Sequence, residues 1–171
     1  EPNEKIYFIL INYFLTIKDY PNVFKYTEDM IERGYTPKSS ISSQMIKIAL
    51  TDGKEQIAFD YYSLVSKYQL QKQDYYRILR ACAKNSNEEI ISYFLDEMRK
   101  YYSFDITVYE ILIRMYSKNK DENAVSKFLK EMENNNIEFS IDIYNSLLNL
   151  TNALYPEKVV ENFQKNIRDG T

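Results

Sequence analysis

Val108, Ile111, Leu112 and Met115 recur at the three- and four-residue spacing of an amphipathic helix. After the polar stretch Ser117-Lys118-Asn119-Lys120-Asp121 the stripe resumes with Val125, Phe128, Leu129 and Met132, and Asn134-Asn135-Asn136 breaks it. The pattern predicts two helices joined by a short turn. An earlier segment closes the same way, with Met30-Ile31-Glu32-Arg33-Gly34-Tyr35-Thr36-Pro37. Gly34 suits a left-handed C-terminal cap there, and Pro37 blocks continuation. Ile167-Arg168-Asp169-Gly170 is a similar ending and predicts a complete last hairpin. No alternating stretch is long enough to predict a sheet.

The apolar positions also repeat over a longer distance. Met30, Val65, Met98, Met132 and Ile167 follow one another at intervals of 35, 33, 34 and 35 residues. Tyr26, Tyr61, Phe94, Phe128 and Phe163 keep the same intervals and are aromatic throughout. So do Leu10, Met45, Ile78, Leu112 and Leu147, and also Val23, Ala58, Ile91, Val125 and Val160. Four apolar ladders in one register define a tandem repeat, with units at 4–38, 39–71, 72–105, 106–140 and 141–171 in a single array over 1–171. A hairpin of this length cannot bury its apolar face alone, so stacking into an α-solenoid with a continuous core is expected. The ladder aromatics are core positions by their spacing. Phe94 is expected to be buried between the two helices of its unit and against the fourth unit, and Cys82, between Leu79 and Ala83, to be a small buried hydrophobe. In Tyr61-Tyr62, Tyr75-Tyr76 and Tyr101-Tyr102, one ring of each pair falls on a different helical face and is expected at the surface or against a partner.

The run Ile141-Asp142-Ile143-Tyr144-Asn145-Ser146-Leu147-Leu148 resembles the opening of a pentatricopeptide repeat, in which a tyrosine, an asparagine and a small residue precede two aliphatics. Phe128-Leu129-Lys130-Glu131-Met132 with Ile137 to Ser140 resembles that repeat's second helix and closing loop. Glu28 to Lys38 matches the closing pattern more fully. The resemblance covers essentially the whole chain, as a degenerate member with units of uneven length. The tetratricopeptide repeat is of similar length, but its Trp, Gly and Tyr signature is missing, and the chain has no Trp. The resemblance implies an all-α, right-handed α-solenoid of about five helix–turn–helix repeats, whose first helices line a concave surface that holds single-stranded RNA. It also implies a place in mitochondrial or plastid gene expression, such as transcript maturation, stability or translation.

Composition narrows the chemistry. The chain has 171 residues with 22 basic and 25 acidic side chains, a net charge of -3, so it is not a generic polyanion binder. It has no His, a single Cys and 3 Gly. Histidine-based catalysis, a disulfide within the chain, a zinc cluster and a glycine-rich phosphate loop are all ruled out of the expected chemistry. No enzyme activity, cofactor or metal is expected. Carboxylate pairs such as Glu88-Glu89 and Asp96-Glu97 lie among lysines and arginines, the pattern of a solvated face. The most apolar run, Ile6 to Ile17, is interrupted by Asn12 and Thr16 and is too short for a membrane span. It has neither a basic leader nor a small-residue cleavage site, so membrane insertion and a signal peptide are not expected. Opening on Glu1, the chain is expected to be part of a longer protein.

The charge has a sidedness that the total conceals. In a stack, equivalent polar positions of the first helices form columns: Asn12, Lys47, Arg80, Arg114 and Asn149, then Thr16, Thr51, Lys84, Lys118 and Ala153. Around the third and fourth first helices, Lys72, Arg77, Arg80, Lys84, Arg114 and Lys118 oppose only Asp74 and Glu110. The second helix that follows is acidic on balance. Such a stripe would neutralise phosphates. The family resemblance places Lys84 and Lys118 where a lysine ending the first helix contacts phosphate. It also places base-reading pairs at Phe8 with Lys38, Ser43 with Gln71, Tyr76 with Asp105, and Glu110 with Ser140, and a first member at Asn145. For Glu110, a helical salt bridge to Arg114, four residues on, is the alternative to reading a base. The candidate RNA-binding set is therefore Lys47, Tyr76, Arg80, Lys84, Asp105, Glu110, Arg114, Lys118, Ser140 and Asn145. Basic faces also serve simply to solvate a helix. The acidic total, the poor base-reading pairs and the many tyrosines fit a second reading, a protein-interaction scaffold or structural subunit of a large assembly such as a mitochondrial ribosome.

Overall fold

A computed structural model describes residues 2–157 apart from 69 and 86, and among these every regular element is helical. Hairpins are formed by α1 (Glu4–Thr16) with α2 (Tyr20–Glu32), α3 (Ser39–Thr51) with α4 (Glu55–Val65), α5 (Lys72–Asn85) with α6 (Glu88–Arg99), and α7 (Ile106–Lys118) with α8 (Glu122–Asn134). A further helix, α9 (Ile141–Leu154), follows. Val160, Phe163 and Ile167, the last rungs of three ladders, and the Gly170 ending lie outside the described residues. The chain divides into two compact units, Glu1–Tyr102 with α1 to α6 and Ser103–Thr171 with α7 to α9.

Local sequence sets the helix ends. Asn3, Asp19, Asn87, Asp105, Asp121 and Ser140 each accept a backbone N–H of the helix they precede, which satisfies an otherwise orphaned donor. The closing turns share one geometry. Gly34 takes φ +80° and lets the Tyr35 N–H reach back to the Met30 carbonyl at 3.0 Å. Asn136, at φ +54°, does the same after α8, where the Ile137 N–H reaches the Met132 carbonyl at 2.9 Å. Lys18, Gly53 and Lys120 also adopt positive φ, within the tight turns that join the two helices of a hairpin.

The ladders form the core. Val65, Met98 and Met132 are buried, as are Tyr61, Phe94 and Phe128, and Val23, Ala58, Ile91 and Val125. Leu10 and Tyr26, in the first hairpin, are only half-buried, and Tyr26 stacks on Phe14 at 5.3 Å. Phe94 is 0% exposed, as expected, but the rings it meets across a hairpin boundary belong to the preceding hairpin: it lies parallel to Phe59 at 6.0 Å and edge-on to Tyr62 at 5.3 Å, both on α4. Cys82 is buried, and desolvation pushes its thiol up to about 12, so it is an inert packing residue.

Polar contacts between hairpins of the first unit keep the repeat register. The Lys18 ammonium lies 2.7 Å from Asp52, which also accepts the Tyr20 hydroxyl at 2.8 Å. The Thr27 and Tyr61 hydroxyls are 3.1 Å apart, and Asn85 donates to the Leu50 carbonyl at 2.6 Å. Tyr62 corrects the expectation of a surface ring. Both Tyr61 and Tyr62 are buried, because the Tyr62 hydroxyl donates to Glu97, one repeat on, at 2.9 Å and lies 3.2 Å from the Tyr75 hydroxyl. A tyrosine with its polar end satisfied can be buried like a phenylalanine. In the other pairs Tyr75 is buried and Tyr76 half-buried, while Tyr101 is exposed.

Candidate nucleic-acid interface

The first helices of the second and third hairpins, α3 and α5, pack side by side, held by a polar knot. Asp74, in the first turn of α5, is 4% exposed. It accepts from the Ser43 hydroxyl at 2.7 Å, from the Gln71 N–H at 3.1 Å and from the Arg77 guanidinium at 3.1 Å. Arg77 also donates to the Ser43 hydroxyl and to the Ser40 carbonyl on α3. The knot fixes the spacing of the two helices and uses up the charge of Arg77.

Beyond it the helices leave a cleft of about 600 Å³, lined by Lys47 and Thr51 from α3 and by Gln73, Tyr76, Arg77, Arg80, Ala81 and Lys84 from α5. Lys47, Arg80 and Lys84 are exposed, and none makes an ion pair among the described residues. Among the described residues no carboxylate lines the cleft. Unopposed cations beside a half-buried aromatic ring suit a polyanion with planar groups.

A second cleft, of about 320 Å³, lies between α7 and α9 and is lined by Arg114, Ser117, Lys118, Lys120, Ser146, Asn149 and Ala153. Its chemistry differs. The Arg114 guanidinium sits 3.2 Å from Asp142, in the first turn of α9, so part of its charge is already answered. Within each unit, then, the structure puts adjacent column members around one cleft: Lys47 with Arg80 and Thr51 with Lys84 in the first, Arg114 with Asn149 and Lys118 with Ala153 in the second.

Residues 102–152 match the profile of the pentatricopeptide repeat domain. Over that stretch the chain is similar to the pentatricopeptide repeat family. The crystal structure of the pentatricopeptide repeat protein PPR10 from maize is similar over 99% of this chain, at 17% identity and a TM-score of 0.71. That likeness makes the fold an all-α repeat solenoid. The chain spans 25% of the maize protein's length. No curated protein sequence matches it.

The structure separates the candidate residues into groups. Lys47, Tyr76, Arg80 and Lys84 meet in the first cleft, and Arg114 and Lys118 in the second. Asp105 and Ser140 cap helices, accepting from the Thr107 N–H at 3.1 Å and the Ile143 N–H at 3.3 Å. Asn145 is exposed and lines neither cleft. Glu110 is a correction. It does not pair with Arg114; its carboxylate accepts the Ser140 hydroxyl at 2.7 Å, while Arg114 turns to Asp142. The start of α9 brings both partners within reach, and a helix's own four-residue pairing is too weak to compete. Glu110→Ala is expected to cost about 1 kcal/mol in urea unfolding, the value of a side-chain hydrogen bond. An effect near zero would mean that the Ser140 contact carries no stability.

Other positions that the resemblance assigns to base reading are engaged by the protein itself. Ser43 is buried in the Asp74 knot, and the Lys38 ammonium lies over the Phe8 ring at 4.1 Å. Gln73 and Lys120 line the clefts without having been singled out in the sequence. Gln73 lies on the face of Tyr76, Arg80 and Lys84 at helical spacing, so a complete reading of that face includes it. Lys120 follows α7 in a positive-φ turn, where helical spacing carries no information.

Proposed function

We propose that the array is a non-catalytic binding module that holds single-stranded RNA by its phosphates along the α3–α5 cleft, in mitochondrial gene expression. One observation carries the RNA assignment: Lys47, Arg80 and Lys84 converge on a cleft with no carboxylate in its lining. Cations with no ion pair among the described residues, on a protein of net charge -3, favour a backbone of regularly spaced anions. Tyr76 supplies a ring on which a base can stack. The match of residues 102–152 to the pentatricopeptide repeat domain supports the same ligand, and the organellar setting rests on the family resemblance alone. With Ser43 buried and Glu110 bound to Ser140, contacts to the backbone outweigh contacts to base edges, so affinity should vary little with RNA sequence.

The test is a titration of a mixed-sequence single-stranded RNA pool against the wild type and the triple variant Lys47→Glu, Arg80→Glu, Lys84→Glu. Three phosphate contacts imply a log–log salt slope of about -2 for a single strand, and reversing all three charges should weaken binding at least about a hundredfold. Helicity should be unchanged, since all three side chains are exposed. A wild-type slope near zero, or no binding at low salt, would assign the array to the other reading, a protein-interaction scaffold such as a subunit of a mitochondrial ribosome. The Arg114–Asp142 pair and the exposed Tyr93, Tyr101 and Tyr144 favour that reading for the surfaces outside the cleft.

A further inference from the structure

Along α1 a stripe of large apolar side chains faces away from the rest of its hairpin. Ile6 is 42% exposed, Ile9 67%, Tyr13 58% and Ile17 53%. The spacing is helical, so these four share one face. What that face does can be read from its counterparts in later hairpins, found by stepping through the repeat intervals.

In the third hairpin the counterparts are Asp74, Arg77, Ala81 and Asn85. Asp74 accepts from Ser43, Arg77 donates to Ser40 and Ser43, and Asn85 donates to the Leu50 carbonyl. All of these contacts reach back to the second hairpin. At α9 the counterparts are Ile143, Ser146, Leu150 and Leu154, and the first three are buried where α9 packs on α7. The counterpart of Ile17 in the second hairpin is Asp52, which reaches back to Lys18 and Tyr20 of the first. The face therefore belongs to the interface with the preceding repeat. On α1 it carries three isoleucines and a tyrosine, and nothing among the described residues covers it.

The approach to α1 repeats as well. Pro2 and Asn3 stand 35 residues before Pro37 and Lys38, which close the first repeat and lead into α3. Asn3 caps α1, and Lys38 occupies the same cap position before α3. Residues 2 and 3 thus have the place of the closing residues of a repeat.

We propose that the Ile6, Ile9, Tyr13 and Ile17 face of α1 seats one more helical hairpin of this repeat type, supplied by the same polypeptide upstream of Pro2. Its first helix would present an apolar edge, as α7 does to Ile143 and Leu150 of α9. The occupant follows from register: the inter-repeat interface of the later hairpins continues onto α1 unchanged in position. An apolar stripe of this extent is otherwise a liability in water.

The test uses single cysteines at the exposed positions, Ile9→Cys and Tyr13→Cys, in a Cys82→Ala background, with Lys47→Cys as an exposed control. Maleimide labelling is followed in the 171-residue chain and in the natural-length protein, whose N-terminus is mapped by mass spectrometry. The expected result is an upstream segment at least one repeat long, fast labelling of both cysteines in the 171-residue chain, and labelling about tenfold slower in the natural protein. The control should label equally in both. If Cys82→Ala loosens the core, the same comparison is made with Cys82 retained, its buried thiol serving as the unlabelled reference. A natural N-terminus close to Glu1, or equal rates in the two proteins, would overturn the proposal. Protection already present in the 171-residue chain that disappears on dilution would identify a second copy as the occupant and also overturn it.

Discussion

Phe94→Ala is expected to destabilise the first unit by about 3–5 kcal/mol, the range for deleting a fully buried aromatic ring. Phe94 is 0% exposed and touches Phe59 and Tyr62, which belong to the preceding hairpin, as well as its own neighbour Tyr93. The cavity left by alanine would open where two repeats meet. Stability in a repeat array is a sum of terms within hairpins and terms between them, so the loss should reach α4 as well as α6. Hydrogen exchange on the intact chain checks this. Amides of α4 and α6 should lose protection together, whereas a loss confined to α6 would mean that Phe94 serves its own hairpin alone. Phe94→Leu keeps most of the volume and should recover more than half of the stability.

Asp74→Ala should cost about 2–3 kcal/mol, measured by urea unfolding. The carboxylate is buried, and its loss leaves the Ser43 hydroxyl, the Gln71 N–H and one guanidinium N–H without their acceptor. Breaking a wholly buried pair costs about 3–5 kcal/mol; the estimate here is lower because the Arg77 side chain is 38% exposed and can turn to water. Asp74→Asn retains an acceptor and should cost less. It also removes the counter-charge of Arg77, which lines the basic cleft, so RNA affinity at low salt should rise a few-fold. Tighter binding by a less stable protein separates the electrostatic role of Asp74 from its structural one. Unchanged affinity would mean that Arg77 does not face the ligand.

Much of the fold was legible because each repeat restates the same local problem. Val125, Phe128 and Met132 mark one face of one helix, and their counterparts Ala58, Tyr61 and Val65 mark it again a repeat pair earlier, all of them buried. A side chain's place in a stacked array follows from its place in the repeat, so periodicity alone located the core. The clefts were legible for the same reason: Lys47 and Arg80 occupy one repeat position and line one cleft.

The pairing of polar groups was not legible, because it depends on which partner the next hairpin brings within 3 Å. Sequence spacing offered Arg114 to Glu110, four residues away on the same helix. The packed structure brings Ser140 to Glu110 and Asp142 to Arg114, from the start of α9. Tyr62 likewise looked like a surface ring until Glu97 supplied an acceptor for its hydroxyl. Burial of apolar groups is non-directional and survives small shifts, so a repeated pattern suffices to predict it. Hydrogen bonds and ion pairs are decided over tenths of an ångström between residues some 30 positions apart, and only the assembled helices set those distances.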